Sequence, residues 1–327
     1  MNIVYTLDKL IIDFTLETTQ MIKVFSFLRS GRGVLSRAEI KHWNSNSVGG
    51  FKENFTLTLD GGNSFYFAAY PNWIRSTDWA NVARLEFNPA KVGNSIQFRY
   101  LHAYLLARSK KVQARRFDVA IDLPLDRRDV FLHKDRRQYR TIQNSALDKT
   151  EYLGQRSQHG QVKVYNKRIE SGLDYDLTRV EITVDFENNS YDEFVRLFPD
   201  VTYLDTGQTQ IFEVEDNDRV LIMACLEHPE WLAMLSRYKR KKIERALESH
   251  VLQLQPSYKE YMNIVSQCMH YCNKRMHDYM EIVKEYKENY RKVADELSYK
   301  SLERDAIRHE SDLEYDSSHG IGAGTEQ

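Results

Sequence analysis

Three short runs in the middle of the chain alternate in polarity residue by residue. Successive side chains of a β-strand point to opposite faces, so such alternation is the mark of a half-buried strand. In Arg116-Phe117-Asp118-Val119-Ala120-Ile121-Asp122 the aspartates and Ala120 point one way, and Phe117, Val119 and Ile121 the other. Gln161-Val162-Lys163-Val164-Tyr165-Asn166-Lys167 sets Gln161, Lys163, Tyr165 and Lys167 against its valines. Arg179-Val180-Glu181-Ile182-Thr183-Val184 sets Arg179, Glu181 and Thr183 against Val180, Ile182 and Val184. If the aliphatic faces share a core, the opposite faces bring carboxylates, cations and a phenol together on one surface.

The flanking sequence extends this β character. Phe55–Leu59 and Ser64–Ala68 are joined by Asp60-Gly61-Gly62-Asn63, a hairpin signal. Val82-Ala83-Arg84-Leu85-Glu86-Phe87 alternates and stops at Asn88-Pro89. Leu10–Leu16 reads as a strand followed by a short helix that Gly31-Arg32-Gly33 would cap. Residues 95–109, 192–198 and two segments within 216–249 have helical patterning. Residues 124–150 read as a charged loop rich in arginine, suited either to phosphate contact or to plain solvation. From Val265 to Leu297 apolar residues recur at spacings of 4 and 3, the seam of a long heptad-patterned helix. Self-association through that helix is the preferred expectation, and folding back onto its own domain the alternative. Residues after about 311 are expected to be disordered.

The expected fold is therefore α+β. An antiparallel-dominated sheet carries helices on one face and polar, catalytic groups on the other, and a C-terminal helical region follows. Residues 1–50 form an N-terminal strand and helix, 51–250 the main domain, 251–310 the long helix and 311–327 a tail.

Composition narrows the class. With 46 basic and 47 acidic residues, affinity for nucleic acid must come from local clusters rather than net charge. Cys225, Cys268 and Cys272 are too few for a disulfide framework, and no secretory leader or membrane-length apolar run is visible; a cytoplasmic protein without a membrane partner is expected. No H-E-x-x-H, paired C-x-x-C or nucleophile-elbow pattern is present.

The polar inventory suits metal-assisted attack on a phosphodiester. A phenol ordinarily ionises near pH 10, and Lys163 and Lys167 on the face of Tyr165 are expected to lower that value. Asp118, Asp122, Glu181 and Glu86 are oxygen ligands suited to Mg²⁺ or Mn²⁺. Residues four apart on a strand lie about 13 Å apart, so Asp118 and Asp122 cannot both touch one ion without a bend. The favoured pair is Asp118 with Glu181, with Glu86 or Asp122 in support. Arg179 either clamps a phosphate or fixes a carboxylate. Arg115 and Arg116 lead into the polar strand, Arg156 precedes the tyrosine strand, and Arg237, Lys239, Arg240, Lys241 and Lys242 form the most basic stretch, a candidate duplex-binding element. A solvated helix face competes with that last reading.

Taken together, Arg84–Pro89, Arg116–Asp122, Tyr152-Leu153-Gly154, Val164-Tyr165-Asn166-Lys167 and Thr178-Arg179-Val180-Glu181-Ile182 resemble the replication initiation factor family. Its members are rolling-circle initiators of plasmids and phages, with related conjugative relaxases. The resemblance covers roughly residues 50–250. It implies a site-specific nick in origin DNA, a 5′-phosphotyrosine, a free 3′-hydroxyl that primes synthesis, a divalent metal and action as a dimer at an inverted-repeat origin. The expected partners are double- and single-stranded origin DNA, a second copy of the chain in a homodimer, and a host helicase. Tyr165, in the family's Tyr-Asn-Lys position, is the expected nucleophile, assisted by Lys163, Lys167 and Arg179, with Tyr152 and Tyr175 in reserve. The His-hydrophobe-His triplet of many other nicking enzymes is absent, so carboxylates must hold the metal. The competing readings are a conjugative relaxase with the same chemistry and a non-catalytic DNA-binding initiator or regulator that recruits host helicase and polymerase.

Overall fold

The computed structural model describes residues 3–30, 35, 37–44, 50–71, 81–143, 149–203, 216–248, 251–273, 281–282, 284–285 and 287–288. The alternating runs become strands, because each puts a continuous aliphatic face in reach of one core. β1 (Tyr5–Thr15), β2 (Glu39–Asn44), β3 (Phe51–Thr58), β4 (Ser64–Pro71), β5 (Val82–Phe87), β6 (Lys111–Leu123), β8 (Tyr139–Gln143), β9 (Lys149–Leu153), β10 (Val162–Asn166) and β11 (Thr178–Asp185) join in a ten-stranded sheet. Its order is β2-β3-β4-β5-β1-β6-β11-β10-β9-β8, antiparallel at every pairing.

Helices cover one face. α1 (Thr18–Ser30) buries Met21, Val24, Phe25 and Leu28, and α3 (Ile96–Arg108) buries Phe98, Leu101 and Leu105. Phe14, Phe55, Phe67 and Phe117, all fully buried, meet them from the sheet. Between β5 and α3, Asn88 caps the short α2 (Pro89–Val92), and Pro89 takes the first helical position, where its missing N–H costs nothing. The β3–β4 turn closes through Leu59 N–H donating to Asn63 O (2.8 Å), and Gly62 supplies the positive φ of 76° that the turn requires.

A smaller three-stranded sheet, β13-β12-β7, is built from β7 (Val130–Leu132), β12 (Asp200–Tyr203) and β13 (Val251–Gln253). α6 (Asp216–Glu227) and α7 (Arg237–Glu248) pack there around Phe131, Ile222 and Ile243. The remaining helices are α4 (Lys167–Ser171), α5 (Tyr191–Val195) and α8 (Tyr258–Cys272).

Tertiary context alters four expectations. β1 lies at the centre of the large sheet, so the N-terminal segment belongs to the main domain rather than preceding it. β13 pairs with β12, so a boundary at 251 would cut a sheet. The charged segment 124–150 contains β7 and β8, and its Arg127 is buried against Glu151, with Nη1 donating to Val130 O at 2.6 Å. The continuous long helix stops at Cys272, where Asn273 turns extended. The stripe that α8 buries is Tyr261, Ile264 and Cys268, while Met269 of the expected seam is 42% exposed. Farther on, Ile282 is buried and Glu285 pairs with Arg99 of α3 at 3.1 Å, so this stretch returns to its own domain. The seam positions after Cys272 and the Gly31-Arg32-Gly33 trio lie outside the described residues. Among the described residues no helix is long and apolar enough to cross a membrane.

Candidate active site

Strand register decides which polar side chains meet. β6, β11 and β10 are neighbours, pairing Asp118 with Thr183, Ala120 with Glu181 and Asp122 with Arg179, then Glu181 with Lys163 and Arg179 with Tyr165. Asp118, Asp122, Lys163, Arg179 and Glu181 thus share the face opposite the helices, whereas Lys167, expected on the same strand face, instead begins α4. β9 extends the row by placing Tyr152 beside Lys163, and β8 sets Arg140 beside Tyr152.

Two irregularities between β1 and β6 add groups that alternation does not announce. Leu7 faces Val119 but Lys9 faces Asp118, which leaves Asp8 as an extra residue in a bulge. Asp8 accepts from Arg179 Nη1 at 2.8 Å and from Asn88 Nδ2 at 3.1 Å, while Lys9 pairs with Glu86 at 2.7 Å. Farther along, Ile11 faces Arg116 and Ile12 faces Ala114, so Arg115 is the extra residue. Arg115 then donates to Glu187 at 2.8 Å and Arg116 to Asp185 at 2.7 Å.

The polar face contains a cleft of ≈ 430 Å³ lined by Asp118, Thr183, Glu181, Lys163, Tyr152, Arg140 and Arg156, together with Ile142, Ser157 and Gln161. Burial pushes the Asp118 carboxyl up to about 6; nearby Lys9 and a hydrogen bond from Thr183 oppose the rise, and Glu181 and Asp8 add to it. Arg140 lies over the Tyr152 ring, 4.6 Å from its centre. Arg156 is exposed at the cleft.

Tyr165 sits beneath this surface, only 5% exposed. Its hydroxyl donates to Glu181 Oε1 at 2.5 Å. Lys163 Nζ is 3.8 Å from the ring centre and Lys167 Nζ 5.9 Å, with Lys167 paired to Glu170. The expected lowering of the phenol's proton affinity is reversed: burial, then the charge of Glu181 and its hydrogen bond, push it up, and Arg179 offsets only part. The lysines approach the ring, while the hydroxyl faces a carboxylate.

The other expected residues take structural partners. Arg179 forks onto Asp122 at 2.6 and 2.7 Å, so of its two expected roles the carboxylate clamp is the one seen. Glu86 is engaged by Lys9. Among the described residues, no group of three or more His, Cys, Asp or Glu is placed to hold one metal ion. Of the four expected ligands, only Asp118 and Glu181 line the cleft. This donor set fits a hard cation such as Mg²⁺, which binds through one or two carboxylates and takes its remaining oxygens from water and phosphate. Tyr175 is 57% exposed and does not line the cleft.

On α7, Lys242 pairs with Asp218 at 2.6 Å and Arg240 with Glu244 at 2.8 Å. Arg237, Lys241 and Arg245, at i, i+4 and i+8, are exposed and form a stripe on the side away from buried Ile243, with Tyr238 (79% exposed) beside them. Lys239 is exposed as well.

The residues that sequence reasoning missed are Asp8 and Lys9, whose signal, a charged pair breaking an apolar run, does not reveal a bulge. Arg140, expected only within a charged segment suited to phosphate contact or solvation, reaches the cleft through β8–β9 pairing.

No family model matches this chain, and no curated protein does. Among solved structures it is similar to a rolling circle replication initiator protein from Geobacillus stearothermophilus, with 15% identity and a TM-score of 0.37 over 76% of this chain and 97% of that one.

Proposed function

We propose that the cleft nicks one strand of DNA, with Tyr152 as the attacking group, in the manner of a rolling-circle initiator. The observation that carries this reading is the cleft itself, where a phenol, two carboxylates and three cations from neighbouring strands and the β9–β10 turn line one concavity. Tyr152 lines it, and Tyr165 does not. In the reaction a bond forms between Tyr152 Oη and the phosphorus, and the bond from phosphorus to the 3′ oxygen breaks. A 5′-phosphotyrosine and a 3′-hydroxyl result. The proton lost by the phenol is made good at the leaving oxygen, so no water, oxidant or reductant is consumed and the step can run backwards as ligation.

Lys163, directly across from Tyr152, stabilises the phenolate. Arg140 packs on the Tyr152 ring, and with Arg156 it offers charge to the phosphates on either side. Asp118 and Glu181 would hold a divalent cation, which neutralises phosphate charge when bound. Dimer formation, which the resemblance implies, belongs to the same proposal, as does recruitment of a host helicase. The experiment is incubation with a single-stranded oligonucleotide from the cognate origin, digestion, and mass spectrometry of the trapped DNA–peptide adduct. A Tyr152 adduct is expected; an adduct on another residue, or none with the cognate origin, overturns the assignment.

A second reading, a DNA-binding initiator that cuts nothing, draws on α7, whose outward stripe suits a duplex in either case. Arg237→Ala, Lys241→Ala and Arg245→Ala together are expected to lower the salt dependence of duplex binding. Three lost phosphate contacts reduce the slope of log affinity against log salt by about 3. Fluorescence anisotropy across a salt series measures this. Single-stranded capture should be unchanged in the triple variant, because the stripe belongs to the smaller lobe and not to the cleft.

A further inference from the structure

We infer that Tyr165 is a positioning residue: its buried hydroxyl pins one oxygen of Glu181 so that the other is presented to a divalent cation in the cleft. The inference rests on the reading of the cleft as a cation-assisted DNA site, yet its core is a geometry that exists without DNA.

Glu181 comes from the middle of β11, where a glutamate has freedom about three torsions and would otherwise sample several directions over the sheet face. Two neighbours remove that freedom. The Tyr165 hydroxyl donates to Oε1 at 2.5 Å, and Lys163 Nζ stands 3.7 Å from Oε2. Arg179, the residue across from Tyr165, is committed to Asp122 and Asp8 and leaves Glu181 to the phenol. Tyr165 is itself held rigidly, 5% exposed, with Lys163 Nζ 3.8 Å from its ring centre. A buried donor on a locked ring is what fixes a ligating carboxylate, and losing such a partner typically costs 10- to 100-fold in metal affinity or activity. The same arrangement explains why a tyrosine lying within the alternating run fails to reach the cleft wall. Its hydroxyl is spent on the carboxylate that does reach it.

The test measures Mn²⁺ binding by electron paramagnetic resonance on the full chain without DNA, beside covalent capture of the oligonucleotide at graded Mn²⁺. Tyr165→Phe removes one oxygen and keeps the ring. The expected result is a roughly tenfold weaker Mn²⁺ affinity, with capture restored at saturating Mn²⁺. In a Glu181→Gln background, Tyr165→Phe should cause no further loss. Glu181→Asp, one methylene short of the phenol, should weaken Mn²⁺ binding comparably with Tyr165 untouched, so the test survives if the phenylalanine variant does not fold. Unchanged affinity in both Tyr165→Phe and Glu181→Asp, or a wild-type chain that binds no Mn²⁺, overturns the inference. So does a folded Tyr165→Phe chain that captures nothing at saturating Mn²⁺, since Tyr165 would then be the attacking group. A wild-type chain that binds Mn²⁺ but forms no adduct counts against nicking alone, and the tenfold loss would still support the positioning role.

Discussion

Tyr152→Phe is expected to abolish covalent capture of the origin oligonucleotide, by at least about 10⁴-fold, the scale seen when an attacking side chain is deleted. The phenylalanine keeps the ring on which Arg140 packs, so the cleft should retain its shape and its affinity for DNA. Tyr165→Phe separates the two tyrosines. It leaves the Tyr152 hydroxyl in place, and at saturating metal it should retain most of the capture. The contrast follows from depth: both phenols stand on the polar face of the sheet, but only Tyr152 lines the concavity where a phosphodiester could lie. Duplex binding through α7 should be the same in both variants. If Tyr152→Phe captured DNA at the wild-type rate, the cleft would lose its nucleophile and the proposed chemistry with it.

Asp118→Asn should cut and stabilise in opposite directions, abolishing metal-dependent cleavage while raising the unfolding temperature. Burial holds the Asp118 carboxyl up at about 6 against a reference value of 3.8. The native state therefore binds that proton more tightly than the unfolded chain, and stability falls as pH rises from about 4 through about 6. At pH 7 the ionised carboxylate carries a folding cost on the order of 3 kcal/mol, which the neutral amide relieves. Calorimetry at pH 7 reads the gain, which should shrink toward pH 4. Cleavage shows the opposite trend: a carboxylate that must be ionised to hold a cation loses it as pH falls through about 6. An Asp118→Asn chain that is no more stable than wild type at pH 7 would mean the burial cost has been met by partners, and full cleavage in that variant would remove Asp118 from the site.

Much of the sheet was legible because period-2 alternation reports directly on which face of a strand a residue occupies. Asp118, Lys163, Arg179 and Glu181 could be assigned to one side from their spacing, and they do share it. The Asp60–Asn63 turn likewise follows from Gly62, which tolerates a positive φ. The amphipathic segment that forms α1, with Met21, Val24, Phe25 and Leu28 buried, was equally readable.

What alternation cannot report is which strand lies next to which, how deep a face is, and where a residue is inserted. β1 enters between β5 and β6, pairing Tyr5 with Ile121 across more than a hundred residues, and only tertiary packing chooses that partner. Its bulge at Asp8 supplies the second carboxylate on Arg179, which stays committed to acids instead of reaching toward phosphate. Tyr165 and Tyr152 look alike in sequence, yet the carboxylate and lysine around the first bury its hydroxyl while β8 and β9 leave the second at the cleft. The chain by itself determined which side chains share a face, since that depends on local backbone geometry. The tertiary structure alone decided which of them line a common cavity and which satisfy one another beneath it, because neighbours and depth are set by strand order, register and bulges between segments far apart in the sequence.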